Sequence, residues 1–395
     1  MNYVESSHRQ HWIFTAPQLL EIRTGLRAKS IATIKKVKEE ARLKSQQEAH
    51  DQQPESKLKP IRLEEESRLC KYYQTKMQQV CKALTFPDKV AAASLLFFKR
   101  FYLTFSSLDH DPKNIMLTCI YLACKVEEAY IGADQFCSLV RQDSQTVLRN
   151  EINVLHGLKF DLITHPPLRS LQGLFQDLGS WRADSSQTDA ALSELDTAGI
   201  NKARGAAQAA LDALMLTDAP LMYSPSLIAM AALRAGFRKI EVSSGKYIAH
   251  VASKQQEVAA SQDMKNAAPP HEQLMSQLSE LDKLGQEGAA SVDDAEVRKI
   301  DRKLKACHNP LLDPDSDLFK QQAAAIQQQE HDQREKKWQQ KQATNQAKAA
   351  ELLGQVSSSV TESRDEPISH KRTESRDEPI SHKRKRSDEH INSAH

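Results

Sequence analysis

Few residues of this chain are spaced for chemistry. His8-x-x-His11 offers two imidazoles about one turn apart, but a tetrahedral metal site needs further ligands, and two histidines alone do not make one. The six cysteines, Cys70, Cys81, Cys119, Cys124, Cys137 and Cys307, form no CxxC pair. Most sit inside apolar helical patterns and read as buried free thiols of a reducing compartment. The phosphate-cradling GxxxxGK(S/T) and GxGxxG loops, the HExxH pair, the GxSxG turn and the kinase HRD and DFG motifs are all absent. Only 12 glycines occur in 395 residues, few for phosphate loops. No metal and no cofactor are expected, and the enzyme classes these motifs mark find little support. One candidate remains. Residues 115–128, IMLTCIYLACKVEE, are apolar nearly all round the helical circumference and end abruptly in Lys125-Val126-Glu127-Glu128. A helix apolar on every side belongs in a core. Its charged end must therefore emerge at a surface, with the Lys125 ammonium beside apolar groups.

The elements that position this lysine are helical. Leu69, Tyr73, Met77, Val80 and Leu84 recur at three or four residues behind a first turn of Glu64, Glu65 and Glu66, where carboxylates favour the helix dipole. Pro87 opens a second helix, AAASLLFFKRFYL. Asp111-Pro112 opens the third, with a capping carboxylate and a proline that loses no bond at the first helical position. A short fourth helix covers residues 133–141. A fifth covers 144–158, with Leu148, Ile152 and Leu155 on one face. Phe160 and Leu162 leave it in an extended segment, and Pro166-Pro167 ends the unit.

A second series of helices follows, over residues 168–178 and 200–216 and from Ser224-Pro225 onward. Asp111-Pro112-x-x-Ile115 aligns with Ser224-Pro225-x-x-Ile228, which suggests a repeated domain. Residues 17–43 form an N-terminal helix, with a polar linker at 44–59. Residues 180–198 read as an inserted loop, and 240–270 as one short helix and a loop. Helical patterns return at 273–284 and 292–307, and over the Gln- and Lys-rich stretch 318–353. The expected organisation is a helix and linker at 1–60, a first five-helix unit at 61–163, a second at 164–285, a helical extension at 286–353 and a disordered tail at 354–395. That tail repeats TESRDEPISHKR in tandem and lacks the apolar periodicity needed to offset ordering entropy. Its cluster Lys383-Arg384-Lys385-Arg386 reads as a nuclear localisation signal or as solvated charge.

Apolar residues make up 39% of the chain and aromatics 6%, low for a single globule of this length, so part of it is expected to be unpacked. A formal charge of +2 argues against a general nucleic-acid binder. The N-terminus lacks the apolar core of a signal peptide, and no run approaches 18 apolar residues, so no membrane partner is expected.

LACKVEE, the preceding FFKRFYL and VLRNEINVLHGLKFDL have the order and spacing of a cyclin box, and the chain resembles the cyclin family. RQHWIFTAPQLLEIR and LTDAPLMYSPSLIA are similar to the H type within it. The resemblance covers roughly residues 8–310. It implies an all-α fold of two tandem five-helix cyclin boxes with flanking N- and C-terminal helices. It also implies a nuclear regulatory subunit whose partners are a cyclin-dependent kinase, a third assembly subunit and TFIIH, acting on the heptad-repeat tail of RNA polymerase II.

The resemblance further implies that Lys125 and Glu151 form a central pair that hydrogen-bonds kinase backbone. Leu122, Val126, Leu155, Phe160 and Leu162 match positions that pack on the kinase's mobile helix. Read from the residues alone, these apolar groups serve equally well as core. Phe160, just past a helix end, is the best candidate for an exposed anchor. Two other classes stay open: a cyclin of another transcriptional kinase (C, K, L or T type), and a DNA-binding factor of the TFIIB kind. The latter carries an N-terminal zinc ribbon with CxxC pairs, which this sequence lacks.

Overall fold

Two helices, α1 (Ser7–His11) and α2 (Ala16–Glu48), precede the first repeat. The computed structural model describes residues 3–48, 60–184, 192, 194–261, 271–313 and 316–361, and among them every regular element is a helix. The first repeat comprises α3 (Leu63–Ala83), α4 (Asp88–Phe101), α5 (Pro112–Val126), α6 (Ala133–Val140) and α7 (Ser144–Gly157). Asp111 caps α5 by accepting the Lys113 N–H at 2.9 Å, and Asp143 caps α7 by accepting the Thr146 N–H at 3.1 Å. From Ile115 to Cys124 every residue of α5 is buried, which is why the segment tolerates no polar face. It packs against α3, α4 and α7.

The second repeat follows the same logic. It comprises α8 (Leu168–Asp184), α9 (Thr197–Met215), the single turn α10 (Ala219–Met222), α11 (Pro225–Lys239), α12 (Gly245–Ser261) and α13 (His271–Ala289). Ser224 caps α11 through the Leu227 N–H, as Asp111 caps α5. Helix α11 is the central one here, packed on α8, α9 and α13. Each repeat has its own core, and Leu168 packs against both.

The flanking helices are tied to this frame. Helix α14 (Asp294–Cys307) buries Val297, Ile300, Leu304 and Cys307 in the first core, beside Ile34 of α2. Asp109, in the loop before α5, joins both flanks: Ser30 of α2 donates to one carboxylate oxygen, and the Asn309 amide donates to the other at 2.8 Å. The buried Lys99 bridges the repeats, donating to Gln74 Oε1 at 2.6 Å and to the Thr217 carbonyl at 2.7 Å. Burial pushes its ammonium down to about 8.

Arg23 grips Asp218 with two bonds of 2.7 Å, joining α2 to the second repeat. Burial would raise the Asp218 carboxyl, but the hydrogen bonds and charge of Arg23 hold it below its ordinary 3.8. A carboxyl depressed on folding contributes stability above its unfolded value and loses it as pH falls through the folded value. The expected result is an unfolding midpoint that drops more steeply below pH 3.8 in the native protein than in Asp218→Asn, followed by circular dichroism melts. Parallel pH profiles would show that the pair does not anchor α2.

Several sequence expectations shift. Helix α2 continues to Glu48 into the stretch read as linker, and residues 49–59 lie outside the described residues. Helix α8 continues to Asp184 into the expected loop 180–198, where Leu192 is buried. The short helix expected within 240–270 is 17 residues long, because Tyr247, Ile248 and Ala252 supply an apolar face to the second core. Helix α15 (Asp317–Thr361) runs eight residues into the tail expected to be disordered from 354. Once a helix is nucleated, each added residue gains one backbone bond, so propagation outlasts the apolar pattern. Beyond its first residue, Thr361, the tandem duplication lies outside the described residues, as does the cluster Lys383, Arg384, Lys385 and Arg386.

The chain divides into two units, Met1–Gln322 and Ala323–His395. Among its described residues the second unit consists of the greater part of α15, with Ile326 and Trp338 exposed. Among the described residues no helix is long and apolar enough to cross a membrane.

Candidate functional site

The end of α5 and the outer face of α7 meet at one ion pair. Lys125 Nζ lies 2.6 Å from Glu151 Oε1, with the ammonium 4.5 Å from the centre of the Tyr121 ring. The lysine side chain is 41% exposed and the glutamate 20%. Burial acts to lower the Lys125 pKa, but the Glu151 hydrogen bond and charge outweigh it and the net shift is upward. The ammonium therefore stays charged and has donors left over. Pairing leaves Glu151 its second oxygen. Together they can offer a hydrogen-bond donor and an acceptor to one backbone segment of a partner.

The apolar candidates divide by depth. Leu122 is 4% exposed and belongs to the core. Val126, Leu155 and Leu162 are half-buried and pack against that core, presenting only an edge. Phe160 is 57% exposed, and its ring meets the edge of His156 at 5.4 Å.

The segment carrying Phe160 is not extended, as the sequence suggested. Lys159 and Phe160 are both left-handed, with φ of 52° and 60°. The Phe160 N–H reaches back to the Leu155 carbonyl at 3.0 Å, closing the end of α7 as a glycine usually does. For residues with side chains this conformation costs about 1–2 kcal/mol each. That strain turns Phe160 away from the core and into solvent.

The fold also adds residues that were not singled out for the site. On α7, Val147 and Val154 face the core, whereas Leu148 and Ile152 are exposed. Leu148, Ile152 and His156 make a row at four-residue spacing that ends at the Phe160 ring, alongside Glu151. Tyr130, past the end of α5, is the most exposed large apolar residue described. The available signal was that α7 carries apolar residues on two faces, one more than a single core requires. His8 and His11 do not converge on a metal. His8 is buried and accepts the His165 backbone N–H at 3.1 Å, and His11 pairs with Asp161 at 2.8 Å.

The cyclin N-terminal domain family matches residues 30–163, and the cyclin C-terminal domain family matches 166–286. Cyclin-H1-1 of Arabidopsis thaliana is 31% identical over 322 residues, covering 78% of this chain and 88% of that protein. A chain in the yeast TFIIK complex (Kin28/Ccl1/Tfb3) is 25% identical with a TM-score of 0.53, covering 72% of this chain and 100% of the other. A chain of the CAK complex of Chaetomium thermophilum shares the fold at 22% identity with a TM-score of 0.63, covering 82% of this chain and 94% of that one. The two capped central helices thus belong to two successive cyclin domains, and the chain is a member of the cyclin family, in its H branch.

Proposed function

We propose that this protein is the regulatory subunit of a TFIIH-associated cyclin-dependent serine/threonine kinase and acts in the nucleus. The observation that carries the reading is the Lys125–Glu151 pair set against the exposed row of Leu148, Ile152 and Phe160. A charged donor and acceptor within an apolar patch suit a kinase helix that must be both gripped and oriented. The similarity to a chain of TFIIK, a complex that also contains Kin28 and Tfb3, supports a kinase partner and a third assembly subunit.

The protein supplies no catalytic group in this scheme. A kinase requires its strand lysine paired with its mobile-helix glutamate and its activation segment ordered. A subunit that binds this arrangement better than the inactive one shifts the population toward it. Moving from about 1% to about 99% active takes roughly 5.5 kcal/mol of differential binding. An interface of about 1,600 Å² with a few good anchors can provide this. The active kinase would then phosphorylate the heptad repeats of RNA polymerase II during initiation, and also other cyclin-dependent kinases.

The test is affinity purification of the full chain from its own cells, with mass spectrometry and a polymerase-tail kinase assay. The expected result is one kinase catalytic subunit with TFIIH components and tail phosphorylation. A kinase accompanied by elongation or mediator components would move the protein to another transcriptional cyclin type. Recovery of no kinase would overturn the proposal.

A further inference from the structure

The two residues that flank Phe160 are held by the N-terminal segment, 150 residues away in sequence. Asp161 accepts the Trp12 indole N–H at 3.0 Å and pairs with His11 Nδ1 at 2.8 Å. The Lys159 ammonium lies 5.6 Å from the centre of the Trp12 ring. The Arg100 guanidinium also lies over that ring, 5.1 Å from its centre, and Arg100 donates to the Asp161 carbonyl at 2.9 Å. Trp12 is 2% exposed and shares a small core with Leu19, Leu103 and Leu221, so its position is fixed by both repeats. Phe14 donates its N–H to the Leu221 carbonyl at 2.8 Å. The segment His11–Phe14 is therefore anchored at its far end and in contact with both neighbours of Phe160, while the Phe160 ring itself stays exposed beside His156.

We propose that this strap pre-organises the Phe160 turn for the kinase, with Asp161 as the positioning residue through which the N-terminal segment sets kinase affinity. The inference rests on reading Phe160 as a kinase anchor. Its physical basis is the left-handed pair Lys159–Phe160, a costly conformation that the Leu155 carbonyl closes locally and that the contacts of Trp12 and His11 with its neighbours reinforce. Released from Trp12 and His11, the turn would spend part of its time in ordinary conformations that withdraw Phe160. The apparent affinity then falls by the fraction of time the displayed form is present. Asp161 touches no kinase group in this scheme.

A double-mutant cycle tests it, because a residue acting through Phe160 has no effect once Phe160 is gone. The cycle uses full-length Asp161→Ala, Phe160→Ala and the double variant. Affinity is measured for the purified kinase catalytic subunit that co-purifies with the native chain. The expected result is a loss of about tenfold for Asp161→Ala in the native background and less than about twofold in the Phe160→Ala background. Losses of equal size in both backgrounds would overturn the strap proposal while leaving Phe160 as an anchor. No loss in Phe160→Ala alone would overturn the anchor reading, and the strap with it. Should Asp161→Ala fail to fold, His11→Ala replaces it. The His11 side chain is half-exposed, so its removal opens no core, and a loss of about threefold that vanishes without Phe160 is expected.

Discussion

Lys125→Glu is expected to lower affinity for the kinase by about a hundredfold or more, with little change in the thermal midpoint of the isolated protein. Removing one member of a hydrogen-bonded charge pair at an interface costs about 2–5 kcal/mol, which corresponds to roughly 30-fold to several thousandfold in affinity. The reversed charge also sets two carboxylates together where 2.6 Å now separates lysine from glutamate. The intramolecular cost is smaller. An ion pair this exposed contributes about 0.2–1 kcal/mol, a shift of a few degrees at most in a domain of this size. Titration calorimetry against the kinase, with a melt of the free protein, separates the two effects. The swap Lys125→Glu with Glu151→Arg sharpens the test. It restores attraction within the chain but reverses donor and acceptor toward the partner, so binding is expected to stay lost. Recovery of binding in the double variant would show that the pair only braces α5 against α7.

Gly236→Val is expected to produce a large loss of stability. On α11, a Cβ at Gly236 would fall 2.5 Å from the Ala203 carbonyl oxygen and 2.7 Å from the Ala207 Cβ. These atoms belong to α9, the main partner of the central helix, and two of the three nearest are backbone atoms that cannot rotate aside. Only glycine lets the two helices cross this closely. Overpacking a fixed crossing costs about 3 kcal/mol or more, a fall of roughly 6–12 °C in the melting midpoint. Gly205→Ala on α9 is the control. Nothing lies within 4 Å of its added Cβ, so it is expected to gain about 0.5–1 kcal/mol from the restricted unfolded chain. Differential scanning calorimetry of the two variants checks both. An unchanged melt for Gly236→Val would rule out the close crossing.

The repeated architecture is written locally, which is why it is readable without a structure. Asp111-Pro112 and Ser224-Pro225 each combine a side-chain cap with a proline at the first turn, and both open the central helix of a repeat. The emergence of Lys125 also follows from local pattern. A helix with no polar face until its last turn has only that turn to expose. These signals depend on residues within one or two turns, and tertiary packing has no reason to override them.

The face of α7 that meets solvent was not decided locally. Leu148 and Ile152 fit a core stripe as well as Val147 and Val154 do, and only the position of α5 selects between them. The same holds for Lys99 and Arg100 of FFKRFYL, whose burial no local pattern announces. Both are buried, because carbonyls of Thr217 and Asp161, more than 60 residues away, receive their donors. The role of HRQHW depended wholly on the fold. Two histidines three residues apart fall short of a metal site, and nothing near them in sequence points to Asp161. Periodicity reports which residues share a face of their own helix. It carries no information on what a distant segment will place against that face. The sequence by itself therefore determined the helices, their caps and the emergence of Lys125. The tertiary structure decided which apolar face stays open and what holds Phe160 in its strained turn, since both depend on contacts between segments far apart in the chain.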